Sequence, residues 1–299
     1  MNCFAQAISK EKNTTKIYCD LHTHSCFSDG TYTPTELVEA AKERNLIVAL
    51  CDHNTVSGLS EFTKAAREQG VIGIPGVEFS TEYQGKELHI VGLFIQERYY
   101  GEVERLIAQS LKQKEESNRC LIQKLNIKGY DISYEELKKK TPDGYINRAH
   151  IAALLTERGY ISSIEAGFDG ILSEKAGLYV PPKRLDTLEV IRFLRKIYAV
   201  PVIAHPYLSM SADEVESFMI VAKEAGLIGM ETQYSLYDQT TEELAKKIAT
   251  KYGMKESGGS DFHGSNKPTI MLGSGKGNLK IPYKVYKELL KEYETGVKM

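Results

Sequence analysis

Short aliphatic runs alternate with amphipathic, capped stretches through the first hundred residues and again through the last hundred. Ile17–Cys19, Leu46–Leu50 and Val71–Ile74 read as buried strands. Thr33-Pro34-Thr35-Glu36 is a capping box with proline at the first helical position, and Leu37, Ala40 and Ala41 give the helix behind it an apolar face. A second helix is expected from about Leu59 to Gln69, closed by Gly70. Val77–Tyr83 and Lys86–Phe94 form a hairpin around Gln84-Gly85. A two-residue turn there sets Ser80 against His89 and Glu78 against Val91, so Glu78 and His89 lie diagonally on one face, within reach of one ion.

The rhythm breaks between Glu97 and Lys196, where the pattern is mostly helical and heavily charged. It resumes with strands at Val200–Ala204, Leu227–Glu231 and Lys255–Ser260. Between them, helices are capped by Ser211–Glu214 and Thr240–Glu243 and end at Gly226 and Gly253, and a last helix covers roughly Pro282–Tyr293. About seven strand–helix units with polar strand ends read as an α/β barrel whose chemistry sits on the C-terminal rim. The expected organisation is a leader (residues 1–16), a (β/α)7 barrel (17–96 and 197–299) and an inserted helical lobe (97–196).

Composition narrows the classes of function. A formal net charge of -2 offers no global basic field for long nucleic acid, and nothing reads as a membrane span or a secretory signal. The five cysteines, Cys3, Cys19, Cys26, Cys51 and Cys120, are odd in number and unpaired in spacing, which suits a reducing cytoplasm. Cys19 and Cys51 fall in expected strands as small apolar groups, and Cys26 reads as an incidental loop thiol.

Six of the seven histidines fall at the ends of these strands or on the hairpin. His22-Thr23-His24 is followed by Asp29, Asp52-His53 ends the second strand, and Glu78 and His89 share the hairpin. His205 follows Val-Pro-Val-Ile-Ala, and Asp261-Phe262-His263 closes the series. Imidazole and carboxylate together are ligands for borderline and hard divalent metals. The barrel rim explains how residues so distant in sequence could converge. Asp52 reads as the acceptor that fixes the His53 tautomer, in preference to a ligand. Glu231, at a strand end, reads as a supporting group outside the ligand set. Gly273-Ser274-Gly275-Lys276-Gly277 lacks P-loop spacing and reads as a turn.

The succession Asp-Leu-His-Thr-His-Ser, Ser-Asp-Gly-Thr, Thr-Pro-Thr-Glu-Leu, Cys-Asp-His-Asn-Thr, Gly-Val-Glu, His-Ile-Val-Gly-Leu, Ala-His-Pro and Gly-Ser-Asp-Phe-His resembles the PHP (polymerase and histidinol phosphatase) family from Asp20 to His263. The resemblance implies a distorted seven-stranded β/α barrel and two or three divalent ions, Mn, Fe or Zn. The ligands it implies are His22, His24, Asp29, His53, Glu78, His89, His205, Asp261 and His263. Cys51 stands where many relatives carry threonine. A water shared by ions that Glu78 or Asp261 bridges would become acidic, and the hydroxide so formed would attack phosphorus in line. Asp52 and His205 are the rim groups expected to assist.

Within that family, Ile146-Asn147-Arg148-Ala149-His150 and Ala176-Gly177-Leu178-Tyr179-Val180 resemble the branch acting on nucleoside 3',5'-bisphosphates, with relatives that trim 5'-phosphorylated RNA. Arg148 and His150 are expected to open a helix whose N-terminus favours an anion, Arg148 gripping phosphate. Lys183 and Arg184 read as surface charge near the mouth. The expected partner is a small phosphorylated nucleotide, with short RNA 5' ends as an extension. A histidinol-phosphate phosphatase and a non-catalytic metal-binding module are the competing readings.

Overall fold

In the computed structural model the described residues are 17–141, 146–182 and 184–298, without the side chains of 109–111. The expected leader, Cys3 and Lys183 lie outside them. The first half runs β1 (Tyr18–Thr23), α1 (Pro34–Glu43), β2 (Leu46–Leu50), α2 (Leu59–Gln69), β3 (Gly73–Tyr83), β4 (Lys86–Leu93), α3 (Tyr100–Ile127), α4 (Tyr134–Lys140), α5 (Arg148–Glu157) and α6 (Ile164–Asp169). The second half runs β5 (Leu185–Asp186), α7 (Thr187–Lys196), β6 (Val200–Ala204), α8 (Ala212–Ala225), β7 (Gly229–Tyr234), α9 (Gln239–Tyr252), β8 (Lys255–Gly259) and α10 (Tyr283–Lys298).

The sheet follows the path β1-β2-β3-β4-β6-β7-β8, with the two-residue β5 pairing β3 off that path. Every pair is parallel except those of β4, which runs antiparallel to both β3 and β6. Beyond β8 the chain meets β1 again: Asp261 N–H donates to His22 O at 2.8 Å and His24 N–H to Phe262 O at 2.9 Å. The sheet is thereby nearly closed, an α/β barrel as expected. Its parallel strands end on one rim. Because β4 is reversed, its early residue His89 stands opposite Ala204, the last residue of β6, and so reaches the same rim.

Two apolar layers hold the strands. Alternate residues turn Cys19, Ile47, Ala49, Val91 and Val202 into an inner cluster, and α10 adds Tyr286 and Leu289 to it. Outside, Val48, Phe79, Ile203 and Met230 meet Leu37 of α1, Phe62 of α2, Phe218 of α8 and Ile248 of α9. Val103 and Ile107 of α3, with Val190, Ile191 and Leu194 of α7, join this outer layer although both helices lie in the stretch that breaks the sequence rhythm. A separate cluster spans Leu121 to Tyr179.

Several elements differ locally from expectation. The third strand and the hairpin strand are one continuous β3, in which pairing passes from β2 to β4 between Pro75 and Gly76. The helix expected to be capped at Thr240 starts at Gln239, because Asp238 Oδ1 accepts the Thr241 N–H at 2.8 Å. The capping boxes at Thr33/Glu36 and Ser211/Glu214 form as read.

One close approach decides the closure. A Cβ added to Gly259 would lie 2.2 Å from His22 Cβ and 2.6 Å from His22 N. Only glycine lets β8 come this near β1. Gly259→Ala is expected to lower unfolding free energy by about 1–3 kcal/mol, through overpacking at an unyielding backbone; urea unfolding of the metal-free protein measures it.

Candidate metal centre

Glu78 stands in the middle of the rim, fully buried, with five imidazoles around its carboxylate. Oε2 lies 3.2 Å from His22 Nε2, 3.4 Å from His24 Nε2 and 3.0 Å from His53 Nδ1. Oε1 lies 2.8 Å from His89 Nδ1 and 3.1 Å from His205 Nε2. The hairpin register reads as expected, Ser80 opposite His89 and Glu78 opposite Val91, and the diagonal pair is in contact.

A second acidic corner adjoins the first. Asp29 Oδ1 lies 3.1 Å from His263 Nε2 and 3.8 Å from His24 Nδ1, and its Oδ2 lies 3.8 Å from His53 Nε2. Asp261 Oδ1 lies 3.2 Å from His24 Nε2. All nine residues of the expected ligand set therefore meet in one cluster. Their donor atoms form four overlapping groups able to hold an ion: His24/Asp29/His53/His263, His22/Glu78/His205, His22/His24/Asp261 and His53/Glu78/His89.

The donor set fits divalent metal on its own geometry. Among the described residues, His22 Nε2, His24 Nε2, His53 Nδ1 and Glu78 Oε2 are buried without a hydrogen-bond partner, although they face one another. Buried polar atoms without partners are rare, and four converging on one point call for a cation. Electrostatics agrees. Burial and neighbouring imidazoles push His24 down to about 3, and burial chiefly pushes His53 down to about 4, so both keep lone pairs. Burial opposes charge on His22 and His89, yet Glu78 raises both with help from Glu231 and Glu87, His89 to about 10. Glu78 and Asp29 stay ionised against burial because imidazoles surround them.

Supporting contacts fix the ring orientations. Glu231 Oε1 accepts from His22 Nδ1 at 2.7 Å, leaving Nε2 to face Glu78, and Oε2 accepts the His205 N–H at 2.7 Å. The Asp261 carbonyl accepts from His263 Nδ1 at 2.8 Å and so turns Nε2 toward Asp29. Glu87 lies 3.4 Å from His89 Nε2 and is held by Arg184 at 2.6 Å. Asp20 Oδ1 accepts from the Ser260 amide at 2.8 Å and Oδ2 from the Gly273 amide at 2.8 Å, pinning the segment after β8. The glycine-rich stretch is a turn, as read.

Asp52 departs from the expected role. It does not fix the His53 tautomer; its oxygens accept from the Ser25 amide at 2.8 Å, Ser25 Oγ at 2.6 Å and Ser28 Oγ at 2.6 Å. Paired hydroxyls in the loop after β1 outcompeted the adjacent ring. Burial raises Asp52 to about 6. The roles of Glu231 toward His205, of Asp20 and of Glu87 were not assigned from sequence; the one signal was Glu231's place at a strand end.

A cavity of about 250 Å³ opens from this cluster toward residues of the helical stretch. Asp29, His53 and His89 of the cluster line it, together with Glu87, Lys114, Arg148, Tyr179 and Arg184. Arg148 opens α5 as expected, with its guanidinium 3.9 Å over the Tyr179 ring and Nη1 donating to Leu172 O at 3.2 Å. His150 commits Nδ1 to the Asn147 amide at 3.3 Å, as half of a capping box. No described helix is long and apolar enough to cross a membrane.

Comparisons with known proteins agree on one family. The family model for the PHP domain matches residues 20–177. A 5'-3' exoribonuclease of Haemophilus influenzae is 32% identical over 251 residues, covering 83% of this chain and 90% of the relative. A 3',5'-nucleoside bisphosphate phosphatase of Chromobacterium violaceum is 29% identical, covering 82% of this chain and 86% of that protein. A solved structure from Bifidobacterium adolescentis, assigned as a metal-dependent phosphoesterase, superposes with a TM-score of 0.82 at 25% identity, over 93% of this chain and 96% of its own.

Manganese added to the metal-free protein is expected to raise its melting temperature in a concentration-dependent way. Glu78→Gln should abolish that rise in a thermal shift titration. Glu231→Gln should weaken the manganese dissociation constant about 10–100-fold, the usual cost of losing a carboxylate behind a ligating histidine.

Proposed function

Because this chain belongs to the PHP domain family, we propose that, as a metal-dependent phosphoesterase, it hydrolyses a phosphomonoester of a small nucleotide of the 3',5'-bisphosphate type, with short 5'-phosphorylated RNA as an extension. The observation that carries this reading is the cavity itself. It joins the Asp29/His53/His89 edge of the cluster to the cations Lys114 and Arg148 and the rings Phe168 and Tyr179. In this reading a phosphoryl group meets the Asp29/His53/His89 edge and a second anion meets Arg148.

Divalent ions bound by His22, His24, Asp29, His53, Glu78, His89, His205, Asp261 and His263 would supply the Lewis acidity that polarises a phosphoryl oxygen and makes water acidic. The remaining work belongs to the protein. Asp52 holds the Ser25–Ser28 loop that carries His24 and Asp29 into place. His205 is turned toward Glu78 by the Glu231 contact to its backbone. Arg148 is pre-oriented by its stack on Tyr179 and its bond to Leu172 O, so little side-chain freedom is lost when it meets phosphate. Arg184 is paired with Glu87, so this reading takes Arg148 as the phosphate contact.

With manganese, the purified protein is expected to release phosphate from a nucleoside 3',5'-bisphosphate and not from histidinol phosphate. Arg148→Ala should raise KM about 10–100-fold with little change in kcat, the loss of a charged hydrogen bond of about 1.5–3 kcal/mol. Asp261→Ala should abolish turnover. Phosphate release from neither substrate would defeat the nucleotide reading, and an unchanged KM in Arg148→Ala would defeat the clamp.

A further inference from the structure

Asp261 turns its two carboxylate oxygens toward different surroundings. Oδ1 faces His24 Nε2 at 3.2 Å and shares an ion-holding group with His22 and His24. Oδ2 accepts from the Tyr234 hydroxyl at 2.8 Å and from Lys267 Nζ at 2.7 Å. Tyr234 is buried at the end of β7, with its ring 5.1 Å from that of His205. Lys267 follows the short turn Gly264–Asn266 and reaches back, its side chain 40% exposed. Asp261 itself has φ 57° and is tied to β1 by its amide bond to His22 O.

A carboxylate oxygen offers about two lone-pair directions, and two donors occupy those of Oδ2. Oδ1 alone is left for an ion. The ammonium also repels a nearby cation, so the arrangement sacrifices some affinity for a defined geometry.

We propose that Tyr234 and Lys267 are positioning residues that hold Asp261 as a single-oxygen ligand. A carboxylate free to rotate can chelate through both oxygens and take an extra coordination position. Held by one oxygen, Asp261 leaves the remaining positions to water and substrate. This inference rests on the reading of the cluster as a divalent-metal site.

Cobalt(II) reports coordination directly, since its visible absorption weakens as coordination number rises. The unsubstituted protein, Lys267→Arg and the double variant Tyr234→Phe/Lys267→Met are each loaded with cobalt, with Lys267→Met alone serving if the double variant does not fold. The expected result is a fall of about two-fold or more in molar absorbance for the double variant, restored in Lys267→Arg. With manganese, kcat should fall about ten-fold while KM stays within about two-fold. A cobalt spectrum superimposable on that of the unsubstituted protein would overturn the inference and leave the phosphoesterase reading intact. Failure of the unsubstituted protein to take up cobalt at all would overturn the metal-site reading and this inference with it.

Discussion

A carboxylate sealed inside a protein must be matched by positive charge, and Glu78 is sealed with five imidazoles around it. The rest of the rim follows from that need. Along β1 successive side chains serve different ends: Cys19 and Leu21 join the inner core, and His22 faces Glu78. The reversed β4 brings His89 to the rim from its first half. Gly259 lets β8 approach His22 closely enough to close the ring of strands. Each device would be poor design for a purely apolar barrel. Together they set nitrogen donors around one anion.

Among the described residues, seven non-glycine residues have positive φ, and two of them belong to the cluster. His205 and Asp261 both have positive φ, 28° and 57°, a region that costs a non-glycine residue about 1–3 kcal/mol. Glu231 holds the first through the His205 amide, and His22 O holds the second. These two positions lie at strand ends that carry site residues, and Glu231, which holds the first, also orients the His22 ring. Ring orientation and backbone strain therefore form one mechanical unit.

Much of this was legible in the sequence because it follows from local rules. The strand ends were marked by aliphatic runs stopping at Asp, His or Glu, and the diagonal pair Glu78/His89 followed from a two-residue turn at Gln84-Gly85. Partner choice was less legible. Asp52 sits beside His53 in sequence yet serves Ser25 and Ser28, because the loop after β1 folds over it. The grip of Glu231 on the His205 backbone depends on the pairing of β6 with β7, and that of Lys267 on Asp261, six residues away, on the turn Gly264–Asn266; residue type alone displays neither. The cap at Asp238 rather than Thr240 was a competition between adjacent oxygens that only backbone geometry decides. The apolar faces of α3 and α7 pack on the barrel because both helices adjoin strands, a fact their charged neighbours hid.

On the proposed function, the cavity between rim and helical stretch is where a small phosphorylated substrate would meet the cluster. Residues of the cluster and the stacked pair Arg148 and Tyr179 line the same cavity. All of it depends on the donors gathering a cation. Diffraction from manganese-soaked crystals at the metal's absorption edge tests that most directly. Anomalous peaks about 2.0–2.3 Å from His22 Nε2, Glu78 Oε2 and Asp261 Oδ1 are expected. Fully active crystals with no peak among these atoms would contradict it.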